Sequence, residues 1–239
     1  MRNREHPVIA IDGPAGTGKS SVTKLLAKRL GYIHVDTGSL YRSIALLSLS
    51  KGVDTTSPEI SPRDENTIVE VAKTAKFEFK LDPMKNPANR ILLNGEDVTR
   101  QIRTPEVGMA ASKVSAIPEV RGALLDLQRK LGGSGGTILE GRDIGTVIFP
   151  DAEIKFFLTA SADERAKRRL AELEALGQDA PTFKEVKRQI SERDLGDSTR
   201  AIAPLKKAKD AIEIDTTMLT LDEVVGLMER TVKDKWNGS

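Results

Sequence analysis

The chain has no cysteine and only two histidines, His6 and His34, among its 239 residues. Disulfides and thiolate metal sites are therefore excluded, and a zinc centre is not expected. Aromatic residues are nearly as scarce, with one Trp, two Tyr and six Phe, too few to build a row of base-stacking platforms. No apolar run approaches the roughly 18 residues of a membrane span. The charged stretch Met1–His6 lacks the apolar segment of a secretory signal. Neither sign of charge prevails, since 37 Lys and Arg against 35 Asp and Glu leave a net +2. That balance does not by itself imply nucleic-acid binding. These absences lead us to expect a cytoplasmic protein with no membrane and no nucleic-acid partner.

What is present is an alternation of strands and helices. Val8–Ile11 is a continuous β-branched apolar run, the pattern of a strand buried on both faces. After the loop GPAGTGKS, residues Val22, Leu25, Leu26 and Leu30 share one helical face, and Gly31 stops the helix. Tyr32–Val35 reads as a short strand, and Thr37 as the cap of a helix carrying Leu40, Ile44 and Leu47. From Asp54 the texture changes, and Pro58, Pro62, Pro83 and Pro87 divide the chain into short pieces. Phe77, Phe79 and Leu81 alternate as a strand, while Ile91–Leu93 before Asn94-Gly95 reads as a hairpin. Pro105 and Pro118 each open a helix. The glycines of Gly132–Gly136 read as a flexible loop feeding a buried strand, Thr137–Leu139. A further strand holds Ile154, Phe156 and Leu158, and Ala211–Ile214 is the last one. Ser161 with Glu164, Thr182 with Glu185, and Thr220 with Glu223 cap three helices, the first ending near Gly177. This order predicts an α/β fold with a central parallel sheet flanked by helices.

The loop Gly13-Pro14-Ala15-Gly16-Thr17-Gly18-Lys19-Ser20 fits G-x-x-x-x-G-K-[ST], directly after a strand and directly before a helix. Its glycines let the backbone wrap phosphates with amide N–H groups, and the helix N-terminus adds partial positive charge. Lys19 supplies a full charge near the β- and γ-phosphates, and the Ser20 hydroxyl is placed to ligate Mg²⁺. A nucleoside triphosphate is the expected ligand; the loop is silent about the acceptor.

Arg42, Arg142, Arg165, Arg168, Arg169, Arg193 and Arg200 lie near predicted element ends or on one helix. Arg165, Arg168 and Arg169, spaced i, i+3, i+4, can share a face. Guanidinium forks suit bidentate phosphate contacts, and fixed cations are what phosphoryl transfer needs around its transition state. The same helix also reads as a solvated face pairing with Asp163, Glu164 and Glu172. Gly141-Arg142-Asp143 closes a buried strand, the end at which open α/β sheets bind ligands. Many arginines with no evident base favour an acceptor that is already an anion, although Asp36 and Glu140 each offer a base or an indirect Mg²⁺ partner. A kinase for a metabolite alcohol such as shikimate, and a P-loop ATPase or GTPase switch, stay open at this point; no N-K-x-D guanine signature is present.

Five signatures in order, AIDGPAGTGKS, VDTGSLYR, IRTPEVGMAASKVSAIPEVR, EGRDIGTVIFPDA and RDLGDSTRAIAPL, the last followed by AIEIDTT, resemble the bacterial cytidylate kinases, within the nucleoside monophosphate kinase group. The likeness runs from about Val8 to Val232. It implies a single P-loop kinase domain over 1–239, with a monophosphate-binding insertion at 38–115 and a helical lid at 161–200. It implies ATP held by Gly13 through Ser21, Arg168 included on the lid side, with Lys19, Arg142, Arg165, Arg169 and Arg200 serving the transferring group. CMP, and dCMP with it, would be bound by Thr37, Tyr41, Arg42, Ser112, Arg121, Arg142, Asp143, Arg193, Asp197 and Arg200. Cytosine recognition falls on Ser112, Arg121 and Asp143, phosphate clamping on Arg142 and Arg200, and ribose contact on Arg193 and Asp197. A carboxylate accepts from the exocyclic amine of cytosine and repels the carbonyl of uracil. The competing reading of Asp143 is a structural partner of Arg142 or of backbone amides. Ser20 stands where some relatives have glycine, and Gly196 where some carry an extra arginine. A monomer is expected.

Overall fold

The computed structural model describes residues 4–57, 59–81, 89–175 and 181–237; of the features above, Pro58, Pro83, Pro87 and Gly177 lie outside them. The chain divides into two compact units, Met1–Asp36 with Arg129–Ser239, and Thr37–Gln128. In the first, β1 (Val8–Asp12) is buried at every position, as a strand covered on both faces must be. After the glycine-rich loop, α1 (Lys19–Leu30) buries Val22, Leu26 and Ala27 and stops at Gly31. β2 (Ile33–Asp36) completes this segment.

The second unit opens with α2 (Thr37–Ser50), whose Leu40 and Ile44 are fully buried. Thr37 is the first residue of the helix itself rather than a cap outside it. Pro62, read above as a breaker, instead opens α3 (Pro62–Thr74). Ser61 Oγ accepts from the Asp64 N–H (3.2 Å), and a proline at the first helical position lacks only a donor that has no intrahelical partner anyway. Ile68, Val69, Val71 and Ala72 then turn inward. β3 (Phe77–Leu81), β4 (Asn89–Leu93) and β5 (Glu96–Asp97) form an antiparallel sheet. Asn94 and Gly95 link the last two with φ of 52° and 87°, the pair of positive values a tight hairpin turn requires. α4 (Pro105–Val114) and α5 (Pro118–Gly132) follow. Leu40, Ile44, Ile68, Ile102, Val114, Val120 and Leu124 meet in one core. The unit runs past residue 115 because Val120 and Leu124 of α5 belong to that core.

The first unit resumes with β6 (Thr137–Gly141), β7 (Ile154–Thr159), α6 (Ala162–Ala175), α7 (Phe183–Thr199), β8 (Ile212–Asp215) and α8 (Leu221–Asn237). Its five strands are all parallel in the order β2-β6-β1-β7-β8. The fold is thus α/β with a central parallel sheet flanked by helices, and β1 occupies the middle. Ile9, Ile11, Leu26, Ile138, Phe156, Val225 and Met228 fill the layer between strands and helices. The three caps form: Ser161, Thr182 and Thr220 accept from the amides of Glu164, Glu185 and Glu223, and Glu223 returns a bond to the Thr220 N–H (2.8 Å). Lys155, buried within β7, donates from Nζ to Pro150 O (2.6 Å) and to both oxygens of Asp210. Among the described residues no helix is long and apolar enough to cross a membrane.

The glycines before β6 are not slack. Gly136 N–H donates to Pro7 O (3.0 Å), Ile33 N–H donates to Gly136 O (2.9 Å), and Thr137 Oγ1 donates to Gly135 O (3.1 Å). Gly135 has φ of 80°, and a Cβ there would lie 2.1 Å from His6 O. Close backbone approach at the amino end of the sheet, not flexibility, is what this run supplies. Gly135→Ala is expected to destabilise the chain by about 2 kcal/mol or more, adding left-handed strain to a backbone clash. Urea midpoints measure this, and an unchanged midpoint would show that the loop yields at no cost.

Candidate active site

The loop between β1 and α1 is held by its carbonyls. Arg165 Nη1 donates to Ala15 O (3.2 Å), Arg168 Nη1 to Thr17 O (3.4 Å), and Thr216 Oγ1 to Thr17 O as well (3.1 Å). A trans peptide points its N–H opposite its C=O. The amides of Gly16 and Gly18 therefore face away from these donors, the orientation an anion in the loop needs. Gly13 reaches φ of 146°, and a Cβ there would sit 2.1 Å from Leu158 O, so only glycine lets the loop leave β1 so close to β7. Lys19 is buried, and its Nζ donates to Pro14 O (2.6 Å) and Thr17 Oγ1 (3.4 Å). Burial holds this ammonium well below the usual lysine range, and the nearby Arg142 and Arg193 push it the same way against Glu140 and Asp12. A buried cation crowded by other cations is a site whose electrostatics improve when an anion enters.

Ser20 Oγ donates to Glu140 Oε2 (2.9 Å), while His34 Nε2 donates to the other oxygen of Glu140 (2.8 Å). Glu140 lies in β6, beside β1 in register with Ile11. Ser21, next along α1, is exposed. Among the described residues no group of three or more His, Cys, Asp or Glu could hold a metal ion.

A second cluster sits where β6 ends. Arg142 Nε donates to Asp197 Oδ2 (2.8 Å). Arg200 donates from Nε to Ala203 O (2.7 Å) and from Nη2 to Asp143 Oδ1 (3.4 Å), and its Nη1 lies 4.0 Å from Asp197. Burial pushes the Asp197 carboxyl up, but Arg142, Arg193 and Arg200 outweigh it and hold the group below its ordinary value. The structure thus brings together Arg142, Asp143, Arg193, Asp197 and Arg200. The three arginines of α6 part company: Arg165 and Arg168 reach the loop, whereas Arg169 pairs with Glu172 (2.8 Å) on the same helix. In the second unit, Thr37, Tyr41 and Arg42 lie on α2 and Ser112 on α4. Arg121 on α5 stacks its guanidinium 5.5 Å from the Tyr41 ring centre and donates to Ser115 O (3.2 Å).

Sequence reasoning passed over three participants. Thr216 joins Thr17 O to Thr159 O through one hydroxyl (3.1 and 3.0 Å) and receives Arg168 Nη1 (2.9 Å); its place after a predicted strand carried a signal only in hindsight of the topology. His34 falls inside the strand read over Tyr32–Val35, with no signal of its own. Asp12, directly before Gly13, was legible as an acid ending a wholly apolar strand. Its carboxylate is buried and accepts from the amides of Ile144 (2.8 Å) and Gly145 (2.7 Å).

Burial pushes the Asp12 carboxyl up to about 6 from an ordinary 3.8, despite the pull of both amides and of Lys19, with Asp143 adding to the rise. The folded chain therefore binds a proton at Asp12 before the unfolded chain does. This group's contribution to stability is complete below 3.8 and is lost as pH rises through about 6. Asp197 has the opposite sign, its contribution being present above the ordinary value and lost as pH falls. By urea unfolding, the stability of the wild type relative to Asp12→Asn should be greater at about pH 4.5 than at about pH 7.5. Equal differences at both would show that Asp12 titrates as it does in the unfolded chain.

A family model described as Cytidylate kinase matches residues 9–234. A cytidylate kinase of Geobacter sp. (strain M21) is 53% identical over 95% of this chain and 93% of its own. One from Caldicellulosiruptor bescii is 48% identical over 91% of each. Among solved structures, an uncharacterized protein from Eubacterium ventriosum superposes with a TM-score of 0.50 at 16% identity, covering 96% of this chain and 99% of that one, a likeness of fold. With a family model spanning nearly its whole length and relatives this close, the chain belongs to the cytidylate kinase family.

Proposed function

We propose that the chain transfers the γ-phosphoryl group of ATP to CMP, and to dCMP, by in-line displacement between two bound nucleotides. The observation that carries this reading is the buried Lys19, set among Arg142 and Arg193 behind a loop whose amides face away from its arginine props. Such a cation cluster is matched to polyphosphate, and membership of the family supplies the acceptor. In this reading Gly13–Ser21 and Arg168 hold ATP, and Lys19, Arg142, Arg165, Arg169 and Arg200 stabilise the charge that develops on the transferred group. By the resemblance to the family, Thr37, Tyr41, Arg42, Ser112, Arg121, Arg142, Asp143, Arg193, Asp197 and Arg200 take CMP. The segment 161–200 acts as the lid and the insertion 38–115 as the monophosphate-binding part, and a single chain suffices for the reaction.

The donor set fits Mg²⁺. Ser20 places its hydroxyl hydrogen on Glu140, which leaves its oxygen lone pairs for a cation, and Mg²⁺ ordinarily keeps waters and phosphate oxygens as its other ligands. Ser20 would hold Mg²⁺, which when bound there would neutralise charge on the phosphates of ATP. The chain's own work is positioning. An acceptor phosphate is already anionic, so no base is required; the arginines orient it, and exclusion of water keeps ATP from hydrolysis.

ADP release with ATP and CMP, dCMP, UMP, AMP or shikimate as acceptor tests the assignment, with CMP and dCMP expected to be the best. ATP consumption no faster with cytidine nucleotides than without would overturn it. Lys19→Ala should lower kcat by roughly 100-fold or more, and near-normal turnover would remove Lys19 from the mechanism. Asp143→Ala should lower CMP turnover and narrow the preference for CMP over UMP.

A further inference from the structure

Asp143 begins a tight turn over Ile144–Ile148, closed by bonds from the Val147 and Ile148 amides to Asp143 O and from the Phe149 amide to Ile144 O. An aspartate in the position before a helical turn ordinarily bends its side chain back to accept from the second or third amide of that turn. Asp143 makes no such bond. Its carboxylate meets Arg200 instead, at 3.4 Å. The first two amides of the turn, those of Ile144 and Gly145, are taken by Asp12 from the neighbouring strand, at 2.8 and 2.7 Å. Asp12 is able to do so because β1 and β6 run parallel with Asp12 opposite Gly141, so the strand ends are side by side and the turn passes directly over the carboxylate.

We infer that Asp12 is a specificity-determining positioning residue: from the adjacent strand it takes the Gly145 amide that the Asp143 carboxylate would otherwise accept from, and so leaves that carboxylate beside Arg200, where it reads the acceptor base. Gly145 fits this arrangement closely, since a Cβ there would stand 3.4 Å from Asp12 Oδ2 and 3.1 Å from the Lys155 stem. The acid that precedes the phosphate loop thereby sets the side chain that chooses the pyrimidine, although it need touch neither nucleotide. With Asp12 gone, the Gly145 amide has Asp143 as its nearest replacement acceptor in sequence, and every Asp143 drawn back to its own turn is lost to base selection. The inference rests on Asp143 reading the base, as proposed above.

The test measures kcat and KM for CMP and for UMP in wild type, Asp12→Asn, Asp143→Ala and the double variant, with KM for ATP alongside. Asp12→Asn keeps the shape but turns a donor toward one of the two amides. It should narrow the CMP-over-UMP preference by about tenfold, the usual scale for one buried hydrogen-bonding group left unmatched, and shift KM for ATP less. In the Asp143→Ala background the same change should narrow the preference no further. Amide exchange at Ile144 and Gly145 should quicken in Asp12→Asn. A preference retained in Asp12→Asn but lost in Asp143→Ala overturns the positioning role and leaves the base reading intact. A preference retained in Asp143→Ala overturns the base reading, and this inference with it. Should Asp12→Asn not fold, Asp12→Ser, which can accept from one amide, carries the same comparison.

Discussion

The parallel pairing of β1 with β6 is the constraint on which the rest of this site depends. It is made of buried apolar residues with no part in chemistry, yet it fixes which loops become neighbours. With Val8 opposite Thr137 and Asp12 opposite Gly141, the two strands stop at the same level. One then releases the phosphate loop and the other releases Arg142 and Asp143. A one-residue slip would send alternate side chains to the opposite face, and the amides of Ile144 and Gly145 would no longer meet the Asp12 carboxylate. Packing energy in the sheet is thus converted into the placement of charge at its carboxyl end, where open α/β sheets bind their ligands.

That charge is arranged under tension. Lys19, Arg142, Arg193 and Arg200 converge with Asp12, Glu140, Asp143 and Asp197, and the balance is settled group by group. Asp197 is held ionised by arginines, Asp12 is pushed toward its neutral form, and Lys19 is pushed toward losing its proton. Removing ions from water costs several kcal/mol each unless partners compensate. A chain that kept these groups for stability alone would do better with apolar replacements; their retention makes sense where polyanionic ligands complete the set.

Much of this was legible in the sequence because the signals were local. The phosphate loop announces itself by spacing, the caps at Ser161, Thr182 and Thr220 by residue type, and the hairpin by Asn94-Gly95. The readings that failed had local signals of two meanings. Pro62 breaks a helix interior but opens a helix when Ser61 precedes it and Asp64 follows. The glycines at 132–136 signal freedom or close contact, and only the approach of His6 and Pro7 decides which. What Asp12, Thr216 and His34 touch stayed hidden for a deeper reason. Their partners lie 132, 199 and 106 residues away, and nothing short of the strand order brings those positions together.

The order of the two units along the chain has a consequence for biogenesis. Thr37–Gln128 is continuous in sequence and closes around its own core, so it is complete as soon as Gln128 has cleared the ribosome. The other unit is split, and its middle strand, β1, pairs only with strands made later, β6 and β7. β1 therefore waits for its neighbours, and the nascent chain must keep it solvated or chaperoned until more than a hundred further residues have been added.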